Sequence, residues 1–213
     1  ACGDVGPGLL SEPHEIVDLL NASFAKGPLA GKTITITAGP TREQIDPVRY
    51  ISNNSSGKMG YAIAEAALEQ GASVNLISGP VSLSASKEIH LYKINSAEEM
   101  LNNVKNCMSE SDIFIGCAAV SDFKPSDYSN SKIKKEEHHD LDIKLEKNKD
   151  ILSFVGNNYS KSYVVGFAAE TDDVIKNAKE KLISKSLNMI ISNDVSDKSI
   201  GFDVDENEVN LIT

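Results

Sequence analysis

Short runs of apolar, β-branched residues recur along this chain at intervals of one strand plus one helix, and that rhythm limits the fold more than any other feature. Thr33-Ile-Thr-Ile-Thr-Ala38 is the first run, Ser73-Val-Asn-Leu-Ile77 the second, and Ile89 to Ile94 the third. Asp112 to Ala119 is the fourth, apolar at successive positions as strands covered on both faces are. Ser162 to Ala169 and Asn188 to Ser192 follow, and Glu208 to Thr213 reads as a last strand. Between the runs lie segments of helical period. In Lys58 to Gln70, residues Met59, Ala62, Ile63, Ala66 and Ala67 share a face and Gly71 supplies the stop. The capping box Ser96-Ala-Glu-Glu99 opens a helix to about Ser109, and Asp172 to Lys185 forms another. The pattern predicts an α/β fold, a doubly wound, mostly parallel, Rossmann-like sheet with helices on both faces. Such sheets bind ligands beyond the carboxyl ends of the strands, which directs attention to the loops after Ala38, Ala119 and Ala169.

Two loops are too long for simple turns. In Asp46 to Gly60, residues Ser52, Asn53, Asn54, Ser55 and Ser56 crowd donors and acceptors at a helix start. One such residue suffices for an N-cap. The surplus, with Arg49 and Lys58, points to an anion. The second loop, Val120 to Asn148, is polar, carries the basic knot Lys132-Ile-Lys-Lys135, and predicts a protruding flap or arm. Within it, Asp142-Ile-Lys-Leu145 alternates like an exposed strand of a hairpin. Residues 1–30 read as a turn-rich lead-in, a short helix from Glu12 to Leu20 and a linker, so the domain proper spans 31–213.

A net charge of −10 argues against nucleic acid as a partner. The sequence has no apolar run long enough for a membrane helix, and its first residues do not read as a signal peptide. Cys2, Cys107 and Cys117 show no CxxC spacing, which fits a reducing cytoplasm. With His14, His90, His138 and His139 they form no metal-ligand pattern, so no protein-only metal site is expected. The first strand is followed by Ala38-Gly-Pro-Thr41 rather than GxGxxG, and Gly57-Lys58 is followed by Met59 rather than Ser or Thr. No Ser-His-Asp set can be read. What remains is a group of cations at strand ends and loops. Lys181 and Lys185, at i and i+4, share a helix face and would suit a clamp on a triphosphate beside Phe167-Ala-Ala-Glu-Thr171.

Taken together, Ile36-Thr-Ala-Gly-Pro-Thr-Arg42, Asp46-Pro-Val-Arg-Tyr-Ile-Ser-Asn53, Ser55-Ser-Gly-Lys-Met-Gly60, Gly116-Cys-Ala-Ala-Val120, Lys132-Ile-Lys-Lys135, Val165-Gly-Phe-Ala-Ala-Glu-Thr171 and Asn193-Asp-Val195 resemble the motifs of phosphopantothenoylcysteine synthetases, in their order. These are the ligase domains of the bacterial bifunctional decarboxylase/synthetases of coenzyme A biosynthesis. The resemblance runs from about Lys32 to the end. Residues 1 to about 20 resemble the tail of the preceding flavin (FMN) decarboxylase, Cys2 falling at its catalytic cysteine. Leu9 stands where that motif has arginine and the flavin-binding body is absent, so no decarboxylase activity is assigned. The family continues past a strand like Glu208 to Thr213 with another helix, so a truncated C-terminus is expected.

The resemblance implies a ligase that joins 4′-phosphopantothenate to L-cysteine with CTP, through an acyl-cytidylate, releasing pyrophosphate and CMP. It implies a homodimer, and Mg²⁺ (or Mn²⁺) carried with the CTP. By position, Asn53 is the catalytic amide and Lys132 closes over the site from the arm. Arg49 grips the substrate phosphate, in the family from the neighbouring subunit, while Ala118, Ala119 and Asp122 lie along the substrate. Gly116, Cys117, Ala118, Asp122, Lys132, Lys149, Asp150, Ile151, Leu152, Phe167, Lys181 and Lys185 correspond to CTP contacts. Position 149 is often proline in the family, so there the contact expected to persist is a backbone one. Two other readings stay open from the residues: a nicotinamide oxidoreductase, which the absent glycine fingerprint counts against, and a nucleotide-binding chain without catalysis.

Overall fold

Alternating threonine and isoleucine give the first strand two different faces, and the sheet is laid out on either side of it. The computed structural model describes residues 12–17, 27–134, 140–170, 173–194 and 208–213; Cys2, Leu9, Lys135, His138, His139, Thr171, Asp172 and Val195 lie outside them. In chain order the elements are α1 (13–17), β1 (Thr33–Ala38), β2 (Arg42–Gln44), β3 (Tyr50–Ser52), α2 (Lys58–Glu69), β4 (Ser73–Ser78), β5 (His90–Lys93) and α3 (Ala97–Met108). They continue with β6 (Ile113–Gly116), β7 (Phe123–Pro125), β8 (Leu145–Lys147), α4 (Ile151–Asn158), β9 (Tyr163–Glu170), α5 (Val174–Ser184), β10 (Met189–Asp194) and β11 (Val209–Ile212).

The main sheet has the order β11-β10-β9-β6-β1-β4-β5. Every neighbouring pair in it is parallel except β10 with β11. From β1 the chain moves outward to β4 and β5, then crosses back to add β6, β9 and β10 on the other side. Strand order therefore reverses between β1 and β6, the place where a doubly wound sheet opens a crevice.

Ile34, Ile36 and Ala38 pack with Tyr61, Ala64 and Ala67 of α2 on one face. On the other face Phe114 and Val164 pack with Met100, Leu101 and Val104 of α3 and with Ile151 and Val155 of α4. Ala168, which shares a face with Val164 by strand alternation, packs with Ala178 of α5. Burying each of these large apolar side chains contributes about 1.5–3 kcal/mol.

The helix face on α2 is shifted from the expected one. Gly60, Tyr61, Ala64 and Ala67 are buried, while Ala62 and Ala66 are exposed. The cause is close approach to β1, since a Cβ on Gly60 would come 2.5 Å from that of Ala38. The N-cap of α2 is Gly57, at φ 78°, with no side-chain cap. Half of the capping box of α3 forms as expected: Ser96 Oγ accepts from Glu99 N at 3.2 Å, while the Glu99 carboxylate accepts from Asn95 N, one residue before the cap, at 2.7 Å.

Other boundaries move for local reasons. Strand β6 ends at Gly116 rather than Ala119, because Ala118 N turns to Thr37 Oγ1. In the arm, β8 covers Leu145–Lys147 and pairs with β7, and Ser126 N donates to Lys144 O at 2.9 Å, so of Asp142 to Leu145 only the last two residues take part in the hairpin. Of the hairpin β2–β3 only β3 falls inside the Asp46 to Gly60 loop, β2 preceding it, and α4 adds a helix that the sequence pattern does not predict.

Candidate functional site

The loops that leave β1 and β6 are stitched together where the strand order reverses. Ala119 N donates to Gly39 O at 2.9 Å and Thr41 N donates to Ala119 O at 3.2 Å. Ser121 N donates to Thr41 Oγ1 at 3.0 Å, and Ser52 Oγ donates to Thr41 O at 2.8 Å. Gly39 has a positive φ of 71°, a left-handed turn that glycine adopts without strain. Onto this cross-tie the Asn53 side chain is fixed, its Nδ2 donating to Ala119 O at 3.1 Å.

A cavity of about 180 Å³ opens on the β6 side. Of the expected nucleotide contacts it gathers Gly116, Ala118, Asp122, Lys149, Asp150, Ile151, Leu152, Phe167 and Lys185. Cys117, Lys132 and Lys181 do not line it. Thr37, Phe114, Val120, Ser121 and Asn148 complete the wall; Thr37 and Val120 lie in motifs quoted above, but the sequence assigns none of the five a contact. Asn148 was legible only as the end of a loop, yet its backbone N–H donates to Asp122 O and its side chain to Ser121 O, both at 2.8 Å. Glycine makes the floor possible: a Cβ on Gly166 would come 2.6 Å from Leu152 Cδ2, and one on Gly116 3.0 Å from Leu152 Cδ1.

Asp150 both caps α4, accepting from Ser153 N at 2.9 Å, and holds Lys185 Nζ at 2.9 Å. Burial raises the pKa of its carboxyl, but the Ser153 N–H and the Lys185 ammonium outweigh that and hold it below its ordinary value. Lys185 thus reaches the cavity already paired. Burial pushes the Cys117 thiol up to about 12, so at neutral pH it is a protonated thiol and a poor nucleophile.

The serine and asparagine surplus finds its place in a second, wider cavity of about 560 Å³. Ser52, Asn53, Asn54, Ser55 and Ser56 line it with Pro40, Arg42, Tyr50 and Pro80. Asn53 therefore faces this cavity while its amide touches the loop whose Ala118 lines the other.

Arg49 lies in neither cavity of its own chain. Its guanidinium is bound by the fully buried Asp46, with Nε at 3.0 Å, and its Nη2 donates to Ile133 O at 3.0 Å. Asp46 also accepts from Val48 N and Arg49 N, both at 2.8 Å, and from Ile133 N at 3.2 Å. The Arg49 guanidinium and these N–H groups hold the Asp46 carboxyl well below the usual carboxylate range, against the upward pull of burial. This hub ties the β2–β3 turn to the arm, and it sets exposed Lys132 beside the anchored Ile133. Among the described residues no group of three His, Cys, Asp or Glu side chains could hold a metal ion, and no helix is long and apolar enough to cross a membrane.

Residues 29–213 match the family described as the DNA/pantothenate metabolism flavoprotein C-terminal domain. The chain belongs to that family. Every residue walling the two cavities falls inside the part that matches this C-terminal domain family. Over 213 residues the chain is 50% identical to the coenzyme A biosynthesis bifunctional protein CoaBC of Haemophilus influenzae, covering 99% of this chain and 53% of that protein. It thus spans about half the length of the curated relatives it matches. A crystal structure of the C-terminal domain of a CoaBC superposes with a TM-score of 0.70 at 41% identity, over 87% of each chain. The DNA/pantothenate metabolism flavoprotein from Streptococcus pneumoniae superposes with a TM-score of 0.70 at 25% identity, over 85% of this chain and 91% of that one.

Proposed function

We propose that this chain is a phosphopantothenate–cysteine ligase that uses CTP. The observation that carries the reading is the placement of Asn53: it lines a cavity rich in hydroxyls and amides while its amide grips the loop bounding a second cavity, at the reversal of strand order. Similarity to the C-terminal domain of CoaBC, a coenzyme A biosynthesis protein, supports the choice of substrates.

In the first step a carboxylate oxygen of 4′-phosphopantothenate attacks the α-phosphorus of CTP. The new O–P bond forms as the bond to the β-phosphate oxygen breaks, and pyrophosphate leaves. In the second step the amine of L-cysteine attacks the acyl carbon, the C–O bond to the nucleotide breaks, CMP leaves and the amine loses a proton. Neither step requires a nucleophile from the chain, which suits the protonated Cys117. Both need charge to be met and reactants to be held in line. Asn53 serves the second need and the developing charge on the acyl oxygen. Lys185, Lys149 and the arm's Lys132 serve the first. Mg²⁺ or Mn²⁺ would arrive on the triphosphate, with Asp122 the carboxylate in the wall that could approach it, since Asp150 is paired with Lys185.

Arg49, outside both cavities of its own chain, fits a role at the site of a second copy. The exposed Val48, Phe123, Tyr128 and Leu145 of the two hairpins and the arm supply apolar surface for such a homodimer. Light scattering that showed only monomer at working concentration would count against that part.

The test is pyrophosphate release with acid, cysteine and CTP, each omitted in turn. Release that requires the acid and CTP, with CMP formed only when cysteine is added, is expected. Release without the acid, or none with all three, would overturn the assignment, and ATP at equal concentration tests the nucleotide. A nicotinamide enzyme would instead quench or shift NAD(P)H fluorescence on titration.

A further inference from the structure

The wider cavity contains a cation to which the reaction scheme above gives no task. Cross-strand register in the β2–β3 hairpin sets Arg42 opposite Ser52 and diagonal to Tyr50, so these three share a face. Glu43 alternates to the other face, where it is buried and accepts from Ala97 N at 2.9 Å. The Arg42 guanidinium carbon lies 4.6 Å from the centre of the Tyr50 ring. Among the described residues no carboxylate pairs with it. Arg49, seven residues on, is the contrast, since its guanidinium is occupied by Asp46.

An arginine whose guanidinium sits over an aromatic ring is restrained in position, and its planar fork of N–H donors matches two oxygens of a phosphoryl group. The rest of that wall, Ser52, Asn54, Ser55 and Ser56, offers neutral hydroxyls and amides. On a chain of net charge −10, a stacked guanidinium without an acid partner, facing a cavity of neutral donors, is poised for an anion from outside. We propose that Arg42, oriented by Tyr50, is a binding and specificity residue for a phosphoryl group. The group is either the terminal phosphate of the acid substrate or the triphosphate of the nucleotide. The proposal rests on the ligase reading for the identity of those two ligands.

Calorimetric titration of the full chain separates the sources, using 4′-phosphopantothenate, pantothenate and Mg²⁺-CTP as probes. Arg42→Ala should weaken one of the two phosphorylated ligands by about 10- to 100-fold, the loss expected for a charge-assisted pair. Pantothenate, which lacks the phosphate, should bind the variant as it binds the parent chain. An effect on 4′-phosphopantothenate alone assigns the acid's phosphate, and an effect on CTP alone assigns the triphosphate. Tyr50→Phe should keep the parent affinities, and Tyr50→Leu should weaken the same ligand by roughly 3- to 10-fold through loss of the stack. Arg42→Lys preserves charge and tests the fork without the risk of a misfolded alanine variant. Unchanged melting with only partial affinity supports the proposal. Parent affinity for both ligands in Arg42→Lys and Arg42→Ala, or an equal loss for pantothenate, would overturn it. No turnover is needed, so a chain that bound these ligands through Arg42 but released no pyrophosphate would refute the ligase assignment alone.

Discussion

The Asn53 carboxamide donates to the Ala119 carbonyl at 3.1 Å, and this bond joins the two loops that leave adjacent strands at the reversal of the sheet. With Nδ2 fixed, the amide plane and the direction of Oδ1 follow. Asn53→Ala removes the group, and Asn53→Asp sets a carboxylate oxygen against the Ala119 oxygen. Each variant is expected to lower the rate of cysteine attack on the acyl-cytidylate by about 10²–10³-fold, the usual loss for one preorganised polar group at a reacting centre. Single-turnover CMP release on addition of cysteine measures it. Parent rates in both variants would remove Asn53 from the chemistry.

Asp46 makes a separate, pH-dependent prediction. Its carboxyl titrates below the ordinary carboxylate value near 3.9, so the folded state favours the ionised form. The resulting stabilisation is complete above that ordinary value and is lost as pH falls through and below it. Asp46→Asn should therefore melt lower than the parent by a constant margin between about pH 8 and 5, the margin narrowing below about pH 4. Thermal melts monitored by circular dichroism across that range decide it. A margin unchanged down to pH 2 would mean that the ionised carboxylate is not what holds the turn.

The sheet was legible because its strands are apolar and β-branched over four to eight residues, and because the helices between them carry a clear period or a cap. Those signals narrowed the ligand site to the loops after Ala38, Ala119 and Ala169, and the strand order then selects the first two. Three features were hidden. The β2–β3 hairpin is short, and its turn is an Asx turn in which the buried Asp46 carboxylate accepts from Val48 N and Arg49 N, a role that Asp46-Pro47 only hints at in one dimension. Helix α4, Ile-Leu-Ser-Phe-Val-Gly-Asn-Asn, is short and poor in strong helix formers, and it persists through the Asp150 cap and the burial of Ile151 and Val155. The walls contributed by Thr37, Phe114 and Ser121 are set by tertiary packing, and such residues look like ordinary core in one dimension. The pairings of Arg49 with Asp46 and of Lys185 with Asp150 were likewise invisible, since spacing along a chain says nothing about which acid a folded cation meets.

The floor of the smaller cavity predicts a steric route to weaker nucleotide binding. Gly166→Ala would place a Cβ 2.6 Å from Leu152 Cδ2, so Leu152 must rotate away from β9. Overpacking of this kind costs about 1–3 kcal/mol of stability. Leu152 also lines the cavity, so CTP affinity should fall while binding of the acid is retained. Gly166→Ala combined with Leu152→Ala should restore part of both. A double variant no better than Gly166→Ala would show that Leu187, whose Cδ1 lies 3.0 Å from the same Cβ, and not Leu152 is the side chain that must move.

Lys185 and Asp150 should respond to substitution with opposite signs. Lys185 reaches the cavity paired with Asp150 at 2.9 Å, and both side chains are partly exposed, so the pair itself contributes no more than about 1 kcal/mol to stability. Lys185→Ala removes a cation from the wall and should raise the KM for CTP by about 10-fold or more, the loss for a charged contact. Asp150→Asn keeps a residue able to cap α4, because asparagine and aspartate cap equally well. It also removes a negative charge that competes with the triphosphate for the ammonium. The KM for CTP in Asp150→Asn should accordingly fall below that of the parent, and the effect should shrink as ionic strength rises. If both substitutions raise KM alike, the two residues act as one positioning unit, and the ammonium is not the group that meets the nucleotide.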